Sequence, residues 1–327
     1  MLYAMSRGSN PSPPPPSAFR LAGIIAAPHT PLRADGDLNL PVIEKQAALL
    51  IDNGISAAFI CGTTGEGMSL TVAERMQVAQ RWTDVCRTAP LGVIVHTGHN
   101  SLRDAAGLAA HAQQVGASAT SALPPMYFKP ANVEQTVNCA AIAAAAAPDL
   151  PFYYYHIPGL TGVNVSMVEF LRQAHGRIAN LRGIKFTHPD LMEYQRCRMH
   201  ADERDLQIAW GVDEMLLGAL AVGAQAAVGS TYNYTAQLYH RIIRAFEAGD
   251  LTTARGASER SVELIAVLLR FGGVRTGKAI MNMIGVDVGP PRPPLTPLTA
   301  DEVNAVREAY ERLDFFEAIR KPAAGNK

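Results

Sequence analysis

From Leu21 onward, short apolar runs alternate with longer segments of helical periodicity. The runs are Gly23–Ala27, Ile55–Cys61, Leu91–His96, Ala117–Leu123, Pro151–His156, Arg182–Phe186, Leu206–Trp210 and Ala224–Val228. Each has strand length, and most are rich in β-branched or aromatic residues. They are continuously apolar, as parallel strands covered on both faces are expected to be. The segments between them carry helix start signals. Thr71/Glu74, Ser166/Glu169 and Thr299/Glu302 match the capping box, in which hydroxyl and carboxylate each satisfy an orphan backbone N–H. Asn132 and Asp190 suit simple N-caps, and Gly54 and Gly116 suit C-caps just before strands.

Eight consecutive strand-then-helix units between Gly23 and Gly249 predict a TIM (β/α)8 barrel. A doubly wound open sheet is the alternative. It would carry a phosphate-binding loop, and the Gly-rich turn Gly62-Thr-Thr-Gly65-Glu-Gly67 has neither the dinucleotide nor the P-loop spacing. Residues 250–318 read as a C-terminal helical appendage of three helices, Asp250–Phe271, Gly273–Met283 and Thr299–Phe315, with a Pro-rich link at Gly289–Pro297. The expected organisation is therefore a Pro-rich flexible tail at 1–19, the barrel at 20–249, the appendage to 318 and a second flexible tail at 319–327.

Charge and composition narrow the function. Lys+Arg and Asp+Glu are both 29, so the formal net charge is zero. This argues against a nucleic-acid binder, which needs a basic surplus, and against a polybasic membrane binder. No apolar run reaches the roughly 18 residues of a membrane span. Cys61, Cys86, Cys139 and Cys197 form no C-x-x-C and sit in apolar or helical contexts, which suits buried thiols in a reducing, cytoplasmic setting. The first residues show no basic-then-apolar secretory pattern.

In a barrel of this kind the active site forms at the C-terminal strand ends. Those ends would bring His29, Thr63, Thr64, His96, Tyr127, Tyr155, Lys185, Thr187, Gly211, Asp213, Glu214 and Ser230 to one mouth. Of six lysines only Lys185 lies inside a strand-like apolar run. An ammonium is costly to desolvate, and a neutral amine at a strand end is a Schiff-base nucleophile. Equally, the ammonium could reach the rim or pair with a carboxylate. Tyr155 is either a general acid/base or core packing, since Phe152–Tyr155 is aromatic throughout. Asp213 and Glu214 either complement a helix N-terminus or bind substrate hydroxyls. His96 and His99 lack the helical i,i+4 geometry of a zinc pair, and no third ligand stands near, so no metal is expected.

Five motifs occur in one order: Gly62-Thr-Thr-Gly-Glu66, Tyr155-His-Ile-Pro-Gly-Leu-Thr-Gly162, Gly183-Ile-Lys-Phe-Thr187, Gly211-Val-Asp-Glu214 and Gly229-Ser-Thr-Tyr-Asn233. Together they resemble the N-acetylneuraminate lyase / dihydrodipicolinate synthase family of class I aldolases, from about Leu21 to Phe315. The resemblance implies Lys185 as the Schiff-base lysine, Tyr155 as the proton carrier and Thr63 in its relay, with no cofactor. It implies Thr64 and the backbone of its turn at the substrate carboxylate. Asp213, Glu214 and Ser230 would meet a glycerol-like tail, with Thr187 and Gly211 also at the substrate. Tyr127, in Pro124-Pro-Met-Tyr127, would reach a neighbouring subunit's site in a homotetramer. The synthase branch carries an arginine two residues after the proline of its Y-x-x-P motif. Here that position is Leu160, and the surrounding residues resemble the lyase branch, with Gly159 and Thr63 as small departures. The implied reaction is reversible cleavage of the sialic acid N-acetylneuraminate to N-acetylmannosamine and pyruvate. Another 2-keto-3-deoxy sugar acid, the synthase reaction and a silent keto-acid binder are the alternatives.

Overall fold

A computed structural model of the chain describes residues 19–316. Strands β1 (Gly23–Ala26), β2 (Ala57–Ile60), β3 (Gly92–His96), β4 (Ala119–Ala122), β5 (Phe152–His156), β6 (Leu181–Phe186), β7 (Gln207–Trp210) and β8 (Ala226–Gly229) form one closed parallel barrel in chain order. Closure is between β1 and β8, with Gly23 opposite Ala226 and Ala26 opposite Gly229. Each strand lies inside or within a residue of an apolar run, because a strand covered on both faces reads as a nearly continuous apolar run.

The helices are α1 (Val42–Asp52), α2 (Val72–Cys86), α3 (Leu102–Gln114), α4 (Val133–Ala145), the single turn α5 (Pro158–Thr161), α6 (Met167–Ala174), α7 (Leu191–Asp202), α8 (Leu216–Ala221) and α9 (Tyr232–Glu247). The appendage adds α10 (Leu251–Arg270), α11 (Gly273–Met283) and α12 (Ala300–Arg312). Thr71 and Thr299 close full capping boxes, and Asn132 and Asp190 cap as expected. Gly54 and Gly116 take positive φ. The Ser166 box is only half made. Ser166 accepts from the Glu169 N–H, but the Glu169 carboxylate turns to Arg172 and Gln173. Glu193 of α7 instead reaches across to the Met167 N–H at 2.8 Å, so a neighbouring helix serves the orphan donor.

Strand parity separates two cores. Outward residues such as Ile24, Tyr154, Ile184, Phe186 and Trp210 pack under the helices. Inward residues, among them Ile25, Phe59, Ile94, Tyr153, Tyr155, Ala209 and Val228, fill the lumen. The floor of the lumen is sealed by Phe19, Leu21 and Gln207. The Gln207 side chain bonds both backbone groups of Leu21 and accepts from the Tyr153 hydroxyl at 2.9 Å. Phe19 is therefore core rather than tail, and a Cβ on Gly92 would strike its ring. The rest of the Pro-rich tail (1–18) and the 319–327 tail lie outside the described residues. Among the described residues the floor is plugged, and a cavity lies at the C-terminal strand ends.

The appendage forms a satellite core of Tyr234, Leu264, Leu268, Ile280, Met281, Val288, Val306 and Tyr310, joined to the barrel through α9. No helix among the described residues is long and apolar enough to cross a membrane.

Candidate active site

The period-2 geometry of strands decides what enters the mouth. In β6, Ile184 and Phe186 face outward, so Lys185 faces the lumen, buried at 5% exposure. In β5, Tyr154 and His156 face outward, so Tyr155 faces inward. The register sets Tyr155 directly beside Lys185. Gly183, two residues below Lys185, has φ +147°, and a Cβ there would overlap the Gln207 carbonyl. Only glycine fits where the two strands close beneath the lysine.

Lys185 Nζ lies 3.9 Å from the centre of the Phe59 ring and 4.1 Å from that of Tyr155. Phe59 meets Tyr155 edge-on at 5.5 Å, and His96 meets Tyr155 edge-on at 5.7 Å. Among the described residues the Tyr155 hydroxyl has one protein partner, the Thr63 hydroxyl at 3.2 Å. The amine is thus enclosed by aromatic faces, and a hydroxyl pair lies beside it.

Thr63 and Thr64 sit on the turn after β2. Its shape is dictated by crowding: a Cβ on Gly65 or Gly67 would press on the Cys61 backbone. Cys61 (φ 57°) and Glu66 (φ 53°) hold left-handed backbone, a costly conformation for residues with a Cβ. Glu66 N donates to Thr63 O at 3.1 Å, and Thr30 Oγ1 donates to Gly65 O at 2.6 Å.

The opposite wall carries acid and hydroxyl groups. Asp213 is buried at 7% exposure, and its Oδ2 accepts from Thr231 N at 2.9 Å and Thr231 Oγ1 at 2.6 Å. Thr231 is the N-cap of α9, so Asp213 serves that helix's N-terminus rather than its own. Gly229 is glycine because a Cβ would overlap the Asp213 carboxylate. Burial raises the Asp213 carboxyl from 3.8 to about 6, against the lowering effect of the Thr231 bonds. The Thr187 hydroxyl is buried without a protein partner among the described residues, and Gly211 lies against it.

One cavity of about 240 Å³ is lined by Thr63, Thr64, Tyr155, Lys185, Thr187, Gly211, Asp213, Glu214 and Ser230. Of the residues read from the strand ends, His29, His96 and Tyr127 are not among its walls; the others are. Tyr127 is 79% exposed and stacks edge-on with Phe128, itself 87% exposed, outside the cavity. Sequence reasoning missed the wall formed by Ile265, Leu268 and Leu269 of α10. Their spacing is an ordinary amphipathic helix pattern that does not say which core it faces.

His96 is occupied otherwise. Its Nδ1 donates to Cys61 O at 3.0 Å, its Nε2 accepts from Leu123 N at 3.3 Å, and burial holds it neutral, well below the usual range. His99 Nδ1 accepts from the Ser101 N–H at 3.0 Å, with the Asp104 carboxylate 3.6 Å away. Among the described residues no three of His, Cys, Asp and Glu group as a cation site.

The chain is similar to known proteins along most of its length. The Dihydrodipicolinate synthetase family model matches residues 20–313. N-acetylneuraminate lyase of Xenopus tropicalis is 42% identical over 301 residues, 91% of this chain and 98% of that protein. Two solved N-acetylneuraminate lyases superpose with a TM-score of 0.88. That of Aliivibrio salmonicida is 46% identical, with 91% of this chain and 98% of that one covered. That of Proteus mirabilis is 43% identical, with 91% and 100% covered. With a closed barrel, a lumenal lysine beside a tyrosine and a family match over nearly the whole described chain, this protein belongs to the dihydrodipicolinate synthetase family.

Proposed function

We propose that this protein is a class I aldolase that cleaves N-acetylneuraminate reversibly to N-acetylmannosamine and pyruvate. The observation that carries the reading is Lys185 enclosed by Phe59 and Tyr155 at the foot of a hydroxyl-lined cavity. The lyase relatives at 42–46% identity support this branch of the family.

Lys185 Nζ attacks the C2 ketone of the open-chain sugar acid, and loss of water gives an iminium. Tyr155, left as the phenolate after giving its proton to the departing water and held by the Thr63 hydroxyl, takes the proton of the C4 hydroxyl, and the C3–C4 bond breaks. Its electron pair flows to the iminium nitrogen, leaving an enamine and N-acetylmannosamine. Protonation at C3 and addition of water release pyruvate and the free amine. Thr63, Thr64 and the N–H groups of their turn hold the carboxylate, as successive backbone donors do for anions. Asp213, Glu214 and Ser230 receive the hydroxyls of the tail, beside the Thr187 hydroxyl. The carbonyl is activated covalently, so neither metal nor organic cofactor takes part.

Lys185 is the sole cation lining the cavity among the described residues, and Leu160 is 63% exposed with no charge to offer. A substrate with a second carboxylate would find no guanidinium. This disfavours the synthase reaction.

The test is pyruvate release from N-acetylneuraminate, coupled to lactate dehydrogenase, in the presence of EDTA. Robust release is expected. No release, with pyruvate still trapped on the protein by borohydride, would move the substrate to another 2-keto-3-deoxy acid. We further propose a cytoplasmic homotetramer in which the exposed Tyr127–Phe128 pair packs against a second copy. Sedimentation equilibrium on the same preparation should give four protomers, and a monomer would overturn this.

Asp213 links substrate binding to pH. Its folded-state value of about 6 lies above the ordinary 3.8, so the folded state binds the proton more tightly. This contribution to stability is full below about pH 4, falls as pH rises to about 6 and is absent above. Asp213→Asn should therefore raise stability at pH 7.5 by about 1–3 kcal/mol and leave it near wild type at pH 4. It should raise KM for the sugar acid about tenfold, through the lost anionic acceptor. Thermal melts at the two pH values check the sign. Equal gains at both would show that ionisation is not the cause.

A further inference from the structure

The sequence singles out Lys185, yet the molecule buries a second lysine. Lys278 of α11 is 1% exposed at its side chain and pairs with Glu66, 2% exposed, at 2.7 Å. Its Nζ also donates to Thr30 O at 3.0 Å and Pro290 O at 2.8 Å. Glu66 Oε2 accepts from Arg292 N at 2.7 Å. The Arg292 guanidinium then grips Glu74 at 2.9 and 2.6 Å and Ser69 O at 2.9 Å. His29, buried nearby, is pushed down to about 3 by burial and by the Lys278 charge, so it adds no charge of its own.

Burying both ions is expensive, and an apolar pair of similar volume often serves stability as well or better. The pair therefore needs a purpose other than stability. Glu66 belongs to the turn that carries Thr63 and Thr64 and holds left-handed backbone there. Thr30 contacts the pair at its carbonyl and the same turn at Gly65 through its hydroxyl. The turn is thus clamped from the appendage, more than 200 residues away in sequence, by groups that touch neither the cavity nor Lys185.

We propose that Glu66 and Lys278 are positioning residues whose buried ion pair holds the Thr63–Thr64 turn in the shape that receives the keto-acid carboxylate. The inference rests on the aldolase reading above. It makes docking of the appendage a condition for carboxylate binding, not only for the apolar wall of the cavity.

The test uses the full chain and borohydride trapping on Lys185 with two probes. One is pyruvate; the other is butanone, a ketone of similar size without a carboxylate. In Lys278→Met the preference for pyruvate over butanone should fall about tenfold, the scale of loss that small misplacement of a binding group brings. Butanone trapping per folded molecule should stay within about twofold of wild type. A purely structural role would depress both probes equally and leave their ratio unchanged. Glu66→Gln keeps the bond to Arg292 N and changes only the charge. It should lower the preference about threefold, and it carries the test if Lys278→Met does not fold. An unchanged pyruvate preference in Glu66→Gln or in folded Lys278→Met overturns the proposal. Failure of wild type to trap pyruvate would instead overturn the aldolase reading.

Discussion

Replacing Lys185 by alanine will abolish pyruvate release while leaving the barrel folded. The amine is the only group in the cavity able to form a covalent iminium among the described residues, and without it the C3–C4 electron pair has no sink. Structurally the loss is small. The lysine makes no ion pair among the described residues, and its contacts are the faces of Phe59 and Tyr155. Losing that packing should cost about 1–2 kcal/mol. Wild type treated with pyruvate and borohydride should gain one carboxyethyl group, mapped by peptide mass to Lys185. The alanine variant should gain none. Wild-type turnover in Lys185→Ala, or a label at Lys278, would refute the assignment. Lys278 is the informative control, because it too is buried but is paired with Glu66 and donates to two carbonyls. An ammonium bound to a carboxylate and two carbonyls has no free electron pair with which to attack.

The second large effect is expected at Tyr155. Tyr155→Phe removes one oxygen, whose single partner among the described residues is Thr63 at 3.2 Å. The ring stays wedged between Phe59 and His96, so stability should change by only about 0.5–1.5 kcal/mol. Turnover should fall by about 10²–10⁴, the usual contribution of a placed acid/base. Pyruvate should still be trapped on Lys185 in this variant, since the nucleophile is intact. That pairing of lost turnover with retained trapping separates proton transfer from mere packing. If kcat falls less than about threefold, Tyr155 is a wall of the lumen and the proton leaves by another route.

The Asp213 and Glu66 predictions concern the surroundings of that chemistry. At Asp213 the same buried carboxylate that destabilises the fold near neutral pH would bind substrate hydroxyls, a trade of stability for function. At Glu66 the expected loss is in carboxylate preference, with the reactivity of the amine preserved.

The strands and the lumenal placement of Lys185 were legible in the sequence because their signals are local. A parallel strand covered on both faces reads as a nearly continuous apolar run, so eight apolar runs marked eight strands. Side chains alternate, so a lysine between Ile184 and Phe186 had to face the lumen once those two faced the helices. Caps such as Thr71 and Thr299 act within three residues and were equally readable.

Other features depended on groups far apart in the chain, and only the tertiary structure decided them. Asp213 could have served its own helix; it serves the start of α9, because the parallel pairing of β7 and β8 sets their C-terminal ends side by side. Leu268 reads as any amphipathic position until α10 is seen to fold over the mouth. Phe19 follows a proline-rich stretch, yet it closes the barrel floor. Glu169 has a capping-box position, but Glu193 of the next helix does part of that work. Lys278 lies in a polar helical segment, and nothing near it in sequence announces Glu66. Periodicity and caps are set by the backbone's own geometry, within a turn or two. The choice of partner for a buried charge is set by which distant surfaces must exclude water together, and that exists only in the folded molecule.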